Sequence, residues 1–168
     1  GVVARERDVQ EVINYRSVLS WIDEQSAGAP EKFNYRENQL KQIHKIITHR
    51  LIPAESQGVY RKTQVVLKDS RTGEVTFRPP PAVEMPYLME DFIIWLNSEI
   101  SHEVHPVLRA GIAHYVLAAI HPFVEGNGRT ARAFATLVLF AEGYDIRRLF
   151  SLEEYFDRDA EGYYHALI

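Results

Sequence analysis

The chain has 168 residues, of which 46% are hydrophobic and 25% charged, with a formal net charge of −4 at pH 7. These values suit one globular domain with a single core. Cysteine is absent, which excludes disulfides, thiolate nucleophiles and cysteine-ligated zinc. The acidic balance excludes bulk attraction for nucleic acid. No apolar run approaches the roughly 18 residues that cross a bilayer, so no membrane partner is expected, and the lack of cysteine accords with a reducing, cytoplasmic setting.

No repeat or low-complexity tract divides the chain, so residues 1–168 are expected to form one domain, a fragment that continues beyond both ends. Val9, Val12, Ile13, Val18, Leu19 and Ile22 predict a helix from about Arg7 to Gln25, closed by the stretch from Ser26 to Pro30. Leu40, Ile43, Ile46 and Ile47 mark a second amphipathic helix from about Arg36 to Arg50. The period then changes. Gln64 to Lys68 and Glu74 to Phe77 are β-rich, and the segment Asp69 to Gly73 between them is a turn, which predicts a hairpin over about 64–78. Pro79, Pro80 and Pro81 end it.

Helical spacing returns from Pro86 to Ile100, with Leu88, Met89, Phe92, Ile93 and Leu96. It resumes from Pro106 to Ile120, where small residues (Ala110, Gly111, Ala113, Ala118, Ala119) suggest a central helix packed on both sides. A third apolar helix runs from Arg129 to about Glu142, with Gly143 as its C-terminal cap. Short helices are predicted from Leu149 to Phe156 and from Glu161 to Ile168. The fold class is therefore all-α with one β-hairpin.

Between two apolar helices lies His121-Pro122-Phe123-Val124-Glu125-Gly126-Asn127-Gly128-Arg129-Thr130-Ala131-Arg132. Gly126 and Gly128 let backbone approach a ligand and form an anion nest. The helix that follows aims its positive end at the same place. Arg129 and Arg132, three residues apart, share a helix face and suit a polyphosphate. Glu125 beside phosphates points to a bridging divalent cation, and magnesium prefers oxygen ligands. His121 is the motif's one base that titrates near neutrality, placed to take a proton from an attacking hydroxyl. Pro122 turns His121 out of helical geometry, and Phe123 anchors the loop. His102, His105 and His114 lack metal-ligand spacing and read as surface or core histidines. Trp21 and Trp95 read as core, and Arg147-Arg148 and Glu153-Glu154 as solvated faces.

This segment resembles the signature of the Fic family, H-P-F-x-[DE]-G-N-G-R-x-x-R, at all nine specified positions. Gly58-Val59-Tyr60-Arg61, the hairpin, Pro80 and the stretch Met89 to Asn97 resemble the family's upstream segment. The resemblance implies a Fic-type helical bundle with a hairpin flap over the active-site loop. It implies a protein adenylyltransferase that moves AMP from ATP, with Mg2+, onto a Ser, Thr or Tyr hydroxyl of a target protein. His121 would be the general base and Glu125 the metal ligand. Asn127 and the loop amides of Gly126 and Gly128 would stabilise charge on the α-phosphate. Arg129 would contact the β-phosphate and Arg132 the γ-phosphate, and Tyr164 would line the adenine pocket. Val65, Val66, Leu67, Val75 and Thr76 of the flap would pair with the target backbone. A homodimer also follows from the resemblance.

Many members carry an inhibitory helix of pattern [ST]-x-x-x-E-[GN]. The Glu-Gly and Glu-Asn pairs here begin at Glu37, Glu125, Glu142 and Glu161, and Phe33, His121, Val138 and Asp157 stand four residues earlier. None is Ser or Thr. The helix is therefore expected upstream of Gly1 or on a separate small protein, and this segment alone is expected not to inhibit itself. Two alternatives stay open: a Fic member with another phosphate donor, and a nucleotide-binding regulatory or interaction module.

Overall fold

The computed structural model describes residues 2–28 and 32–144. The two helices predicted after residue 148, and Tyr164 with them, lie outside the described residues. Among those residues the order is α1 (Val2–Ser26), α2 (Glu37–Ile47), a 3-10 turn (Ala54–Ser56), β1 (Leu67–Lys68), β2 (Val75–Phe77), α3 (Met85–Leu96), α4 (Glu99–Glu103), α5 (Pro106–Ile120) and α6 (Asn127–Ala141).

The elements predicted within the described residues are present, and their differences have physical causes. The expected helix from Pro86 to Ile100 breaks at Asn97, whose carboxamide accepts from the Tyr35 N–H and donates to the Tyr35 carbonyl, both at 2.8 Å. Two hydrogen bonds to a distant backbone hold the chain out of helix there. Ser98 is extended, and its hydroxyl accepts from the Ser101 N–H to cap α4. At α6 the Tyr144 N–H reaches the Leu139 carbonyl and the Gly143 N–H reaches that of Phe140. This is a Schellman ending with Gly143 at φ 84°, as its predicted capping role requires.

α6, not α5, is the central helix. It packs on α5, α1 and α2, and Thr130, Ala131 and every residue from Ala133 to Leu139 are buried. α5 buries Ala110, Ala113, Leu117 and Ile120 but leaves Val107, Leu108, Ile112 and Tyr115 exposed. A Cβ added at Gly111 would meet nothing within 4 Å. The small residues of α5 thus permit close approach on one side only. Val18 and Ile22 of α1, Leu40, Ile43 and Ile47 of α2, and Met89, Phe92 and Leu96 of α3 complete the core. Each such side chain contributes about 1.5–3 kcal/mol by leaving water. Val9, Val12 and Ile13 sit on the exposed half of α1, so its predicted stripe reaches the core only in its second half. Trp21 and Trp95 are partly buried against the core.

The hairpin is shorter than its predicted span. β1 pairs antiparallel with β2, Leu67 opposite Phe77 and Lys68 opposite Val75, with a register shift between. Its turn is an Asx turn, in which Asp69 Oδ1 accepts from the N–H groups of Arg71 and Thr72 at 2.7 and 2.8 Å. Val65 and Val66 precede the ladder. No described helix is long and apolar enough to cross a membrane.

Candidate active site

The site is built at the junction of α5 and α6. His121 ends α5 in the left-handed region, at φ 54° and ψ 61°, a conformation in which histidine is among the few tolerated side chains. Pro122 forbids continuation, and the chain turns inward to bury Phe123 completely. The Phe123 ring stacks on His44 at 3.7 Å and 6°. The loop then closes on itself: Asn127 Oδ1 accepts from the Phe123 N–H and Asn127 Nδ2 donates to the Phe123 carbonyl, each at 2.8 Å. Gly126 caps α6 at φ 81°, and a Cβ there would come within 2.8 Å of Thr48 Cγ2. Only glycine fits this position.

These contacts give Asn127 a structural task. The Asn127 carboxamide is buried and engaged at both ends by Phe123. It is a staple that shapes the loop and sets where the α6 amides point. The N–H groups of the first turn of α6 have no intrahelical acceptor and can meet a phosphate.

A cleft of about 380 Å³ gathers the loop and the hairpin. It is lined by Val65, Val66 and Leu67 on one side, and by His121, Glu125, Gly126, Asn127, Gly128, Arg129 and Arg132 on the other. Seven motif residues and three flap residues singled out in the sequence thus share one space. Val75 and Thr76 do not line it. They lie exposed on β2, and Thr76 Oγ1 donates to the Leu67 carbonyl at 3.3 Å.

The protonation of His121 follows from its surroundings. Its Nδ1 lies 3.2 Å from the Ala118 carbonyl. That oxygen can only accept, so Nδ1 carries the hydrogen and Nε2 the lone pair. Burial lowers its pKa, the Ala118 bond raises it in part, and the nearby Arg61 charge lowers it further. At neutral pH the ring is a neutral base.

Helix α1 crosses the loop and carries charges that the motif pattern does not show. Arg7 donates to the Glu125 carboxylate. Glu11 pairs with Arg129 at 3.0 Å and with Arg7 at 3.4 Å. Such half-exposed pairs add little to stability. They fix the resting positions of the Glu125 carboxylate and the Arg129 guanidinium. Among the described residues Glu125 is the one carboxylate lining the cleft, and no group of three or more His, Asp or Glu among them could hold a metal alone. That donor set fits magnesium, which binds through one or two carboxylates plus substrate phosphates. It does not fit a structural zinc site.

His44 is a second residue without a signal in the motif. Its Nδ1 accepts from the Gly58 N–H and its Nε2 meets the Glu125 carbonyl, both at 2.8 Å. It therefore ties α2 and the Gly58 turn to the loop. A histidine at the i+4 position from Leu40, on the apolar face of α2, is the sequence sign that could have marked it. Burial is the largest cause lowering its pKa, to about 4. In the unfolded chain it titrates near 6.5. The unfolded state therefore binds the proton more readily, and the stability His44 contributes is present above pH 6.5 and lost as pH falls toward 4. The expected loss is about 3 kcal/mol by pH 4, read as a falling urea midpoint. A variant His44→Gln should show a visibly flatter pH dependence. His114, also lowered to about 4 by burial, supplies part of the remainder.

The sequence pattern of the Fic/DOC family matches residues 34–139. A protein named protein adenylyltransferase Fic from Drosophila grimshawi is 37% identical over 119 residues, 71% of this chain and 23% of that protein. The chain thus spans less than a quarter of the length of such curated relatives. A Fic family protein from Desulfovibrio desulfuricans G20 superposes with a TM-score of 0.76 at 28% identity, over 96% of this chain and 45% of that one. A Fic domain containing signaling protein from Bacteroides thetaiotaomicron gives 0.75 at 26% identity, over 96% and 56%.

Proposed function

The chain belongs to the Fic/DOC family, and from that premise we propose that it transfers AMP from ATP to a hydroxyl of a target protein. One observation carries the reading: the 380 Å³ cleft that places a neutral histidine, a helix N-terminus with two arginines, a lone carboxylate and one hairpin edge around the same space.

Each part has a task. The triphosphate lies against the first turn of α6, where backbone N–H groups and the helix dipole favour negative charge. Arg129 and Arg132 contact the outer phosphates and hold the α-phosphate in place. Glu125 would hold magnesium, which would supply positive charge to the phosphate oxygens. To take that part, Glu125 would have to release its bond to Arg7. The Val65 to Leu67 edge receives an extended segment of the target as an added strand and presents its hydroxyl. His121 Nε2 accepts the hydroxyl proton as the oxygen attacks the α-phosphorus. The bond from that phosphorus to the α,β-bridging oxygen breaks, and pyrophosphate leaves. The α6 amides stabilise the charge that grows on the α-phosphate oxygens.

The test is label transfer. With magnesium and ATP labelled at the α-phosphate, radioactivity should appear on the chain itself or on an added target. Label arriving only from the γ-phosphate would replace this reading with phosphorylation. Nucleotide binding with no label from either position, on the chain or on protein from the source cell, would reduce the domain to a binding module.

A further inference from the structure

Arg61 takes no part in the chemistry just described, yet it is 2% exposed and surrounded by backbone oxygens. Its Nε donates to the His121 carbonyl at 2.7 Å and its Nη2 to the Ile120 carbonyl at 3.2 Å. Its own backbone N–H donates to the Pro122 carbonyl at 2.9 Å. Three consecutive carbonyls, 120 to 122, thus end on one residue. They include the last carbonyl of α5, which has no partner within its helix, and a cation there is favoured by the helix dipole. The other side of the guanidinium faces the hairpin. Nη2 also donates to the Pro80 carbonyl at 2.6 Å and Nη1 to the Thr63 carbonyl at 3.1 Å. Thr63 and Pro80 are the two feet of the hairpin.

From this arrangement, and resting on the reading of the site given above, we infer that Arg61 is a positioning residue that locks the turn carrying His121 to the feet of the hairpin, so that the general base and the target-aligning strand keep one fixed relation. Neither part is held this way by its own contacts. His121 sits in a left-handed conformation that is strained for a non-glycine residue, and carbonyl bonds on both sides of it offset that strain. The ladder has only two and three residues per strand, too few to be stable alone. No other side chain could span the set, because the planar guanidinium offers five donors in a fixed fork. A lysine ammonium would reach one foot or the turn, not both. The buried charge also disfavours protonation of His121, which keeps the base ready.

The experiment compares wild type with Arg61→Gln and Arg61→Lys, each checked for a native-like circular dichroism spectrum and a cooperative melt. At saturating ATP, labelling by Arg61→Gln is expected to fall at least about 100-fold, the scale of a misplacement near 1 Å. ATP affinity, set by α6 and its arginines, should change by less than about threefold. Arg61→Lys should fall between the two. Trypsin supplies a reading independent of chemistry, because Lys68 and Arg71 lie on the hairpin. Cleavage there should quicken about tenfold or more in Arg61→Gln. A folded Arg61→Gln with wild-type labelling and wild-type cleavage would overturn the inference, as would equal losses in rate and in ATP affinity. If wild type transfers no label, the reading of the site falls, and the cleavage rates alone decide whether Arg61 tethers the hairpin.

Discussion

Replacing His121 by asparagine is expected to slow AMP transfer by about 10²- to 10⁴-fold, the usual worth of a positioned general base, while shifting stability by no more than about 1 kcal/mol. The choice of asparagine follows from the backbone. Residue 121 sits at φ 54°, where asparagine is tolerated and alanine is strained. His121→Ala would mix loss of the base with a disturbed turn. Asparagine keeps a donor near the Ala118 carbonyl but has no nitrogen that accepts a proton near neutrality. ATP should bind as before, since its proposed contacts lie on α6 and its arginines. A variant that transfers AMP at the wild-type rate would remove His121 from the mechanism, and one that fails to bind ATP would show that its side chain shapes the phosphate seat instead.

Phe123→Ala should lower the free energy of unfolding by about 3–5 kcal/mol, the range for truncating a fully buried aromatic ring. The ring is 0% exposed. It stacks on His44 at 3.7 Å and meets Tyr60 at 5.4 Å in a tilted arrangement, so its loss leaves a cavity lined by rings that cannot easily collapse. The damage should extend to the site, because Phe123 is also the backbone partner of Asn127. Urea denaturation measures the first effect and ATP titration the second. Phe123→Leu, which keeps most of the volume, should lose appreciably less. A loss under about 1 kcal/mol for the alanine variant would mean that the loop is not anchored through this ring.

What could be read from the sequence was what is local. The motif lies within twelve residues, and the helices bounding it, Pro106–Ile120 and Asn127–Ala141, declare themselves by apolar spacing and by Pro106 and Gly143 at their ends. What could not be read depends on partners far along the chain. Arg61 meets the loop across 60 residues, His44 across 81 and Arg7 across 118. No periodicity encodes such a meeting. The break at Asn97 is of the same kind, since a carboxamide and a backbone 62 residues away override local helix propensity. The relative burial of α5 and α6 was misread because small residues signal close approach without saying on how many sides. The sequence places Asn127 between two glycines but does not show that its carboxamide closes the loop on Phe123.

No residue from Lys62 to Arg78 is buried, although the segment forms one wall of the cleft. The other wall begins the most deeply packed of the described helices. The two walls therefore face very different selective regimes. Changes along Val65 to Thr76 touch no core contact and carry almost no folding penalty, whereas most changes along α6 would be purged for instability before their chemistry was tried. On the proposed reading, such a division would let target recognition change while the phosphate seat stays fixed, and it would offer an engineer the hairpin as the place to graft a new specificity.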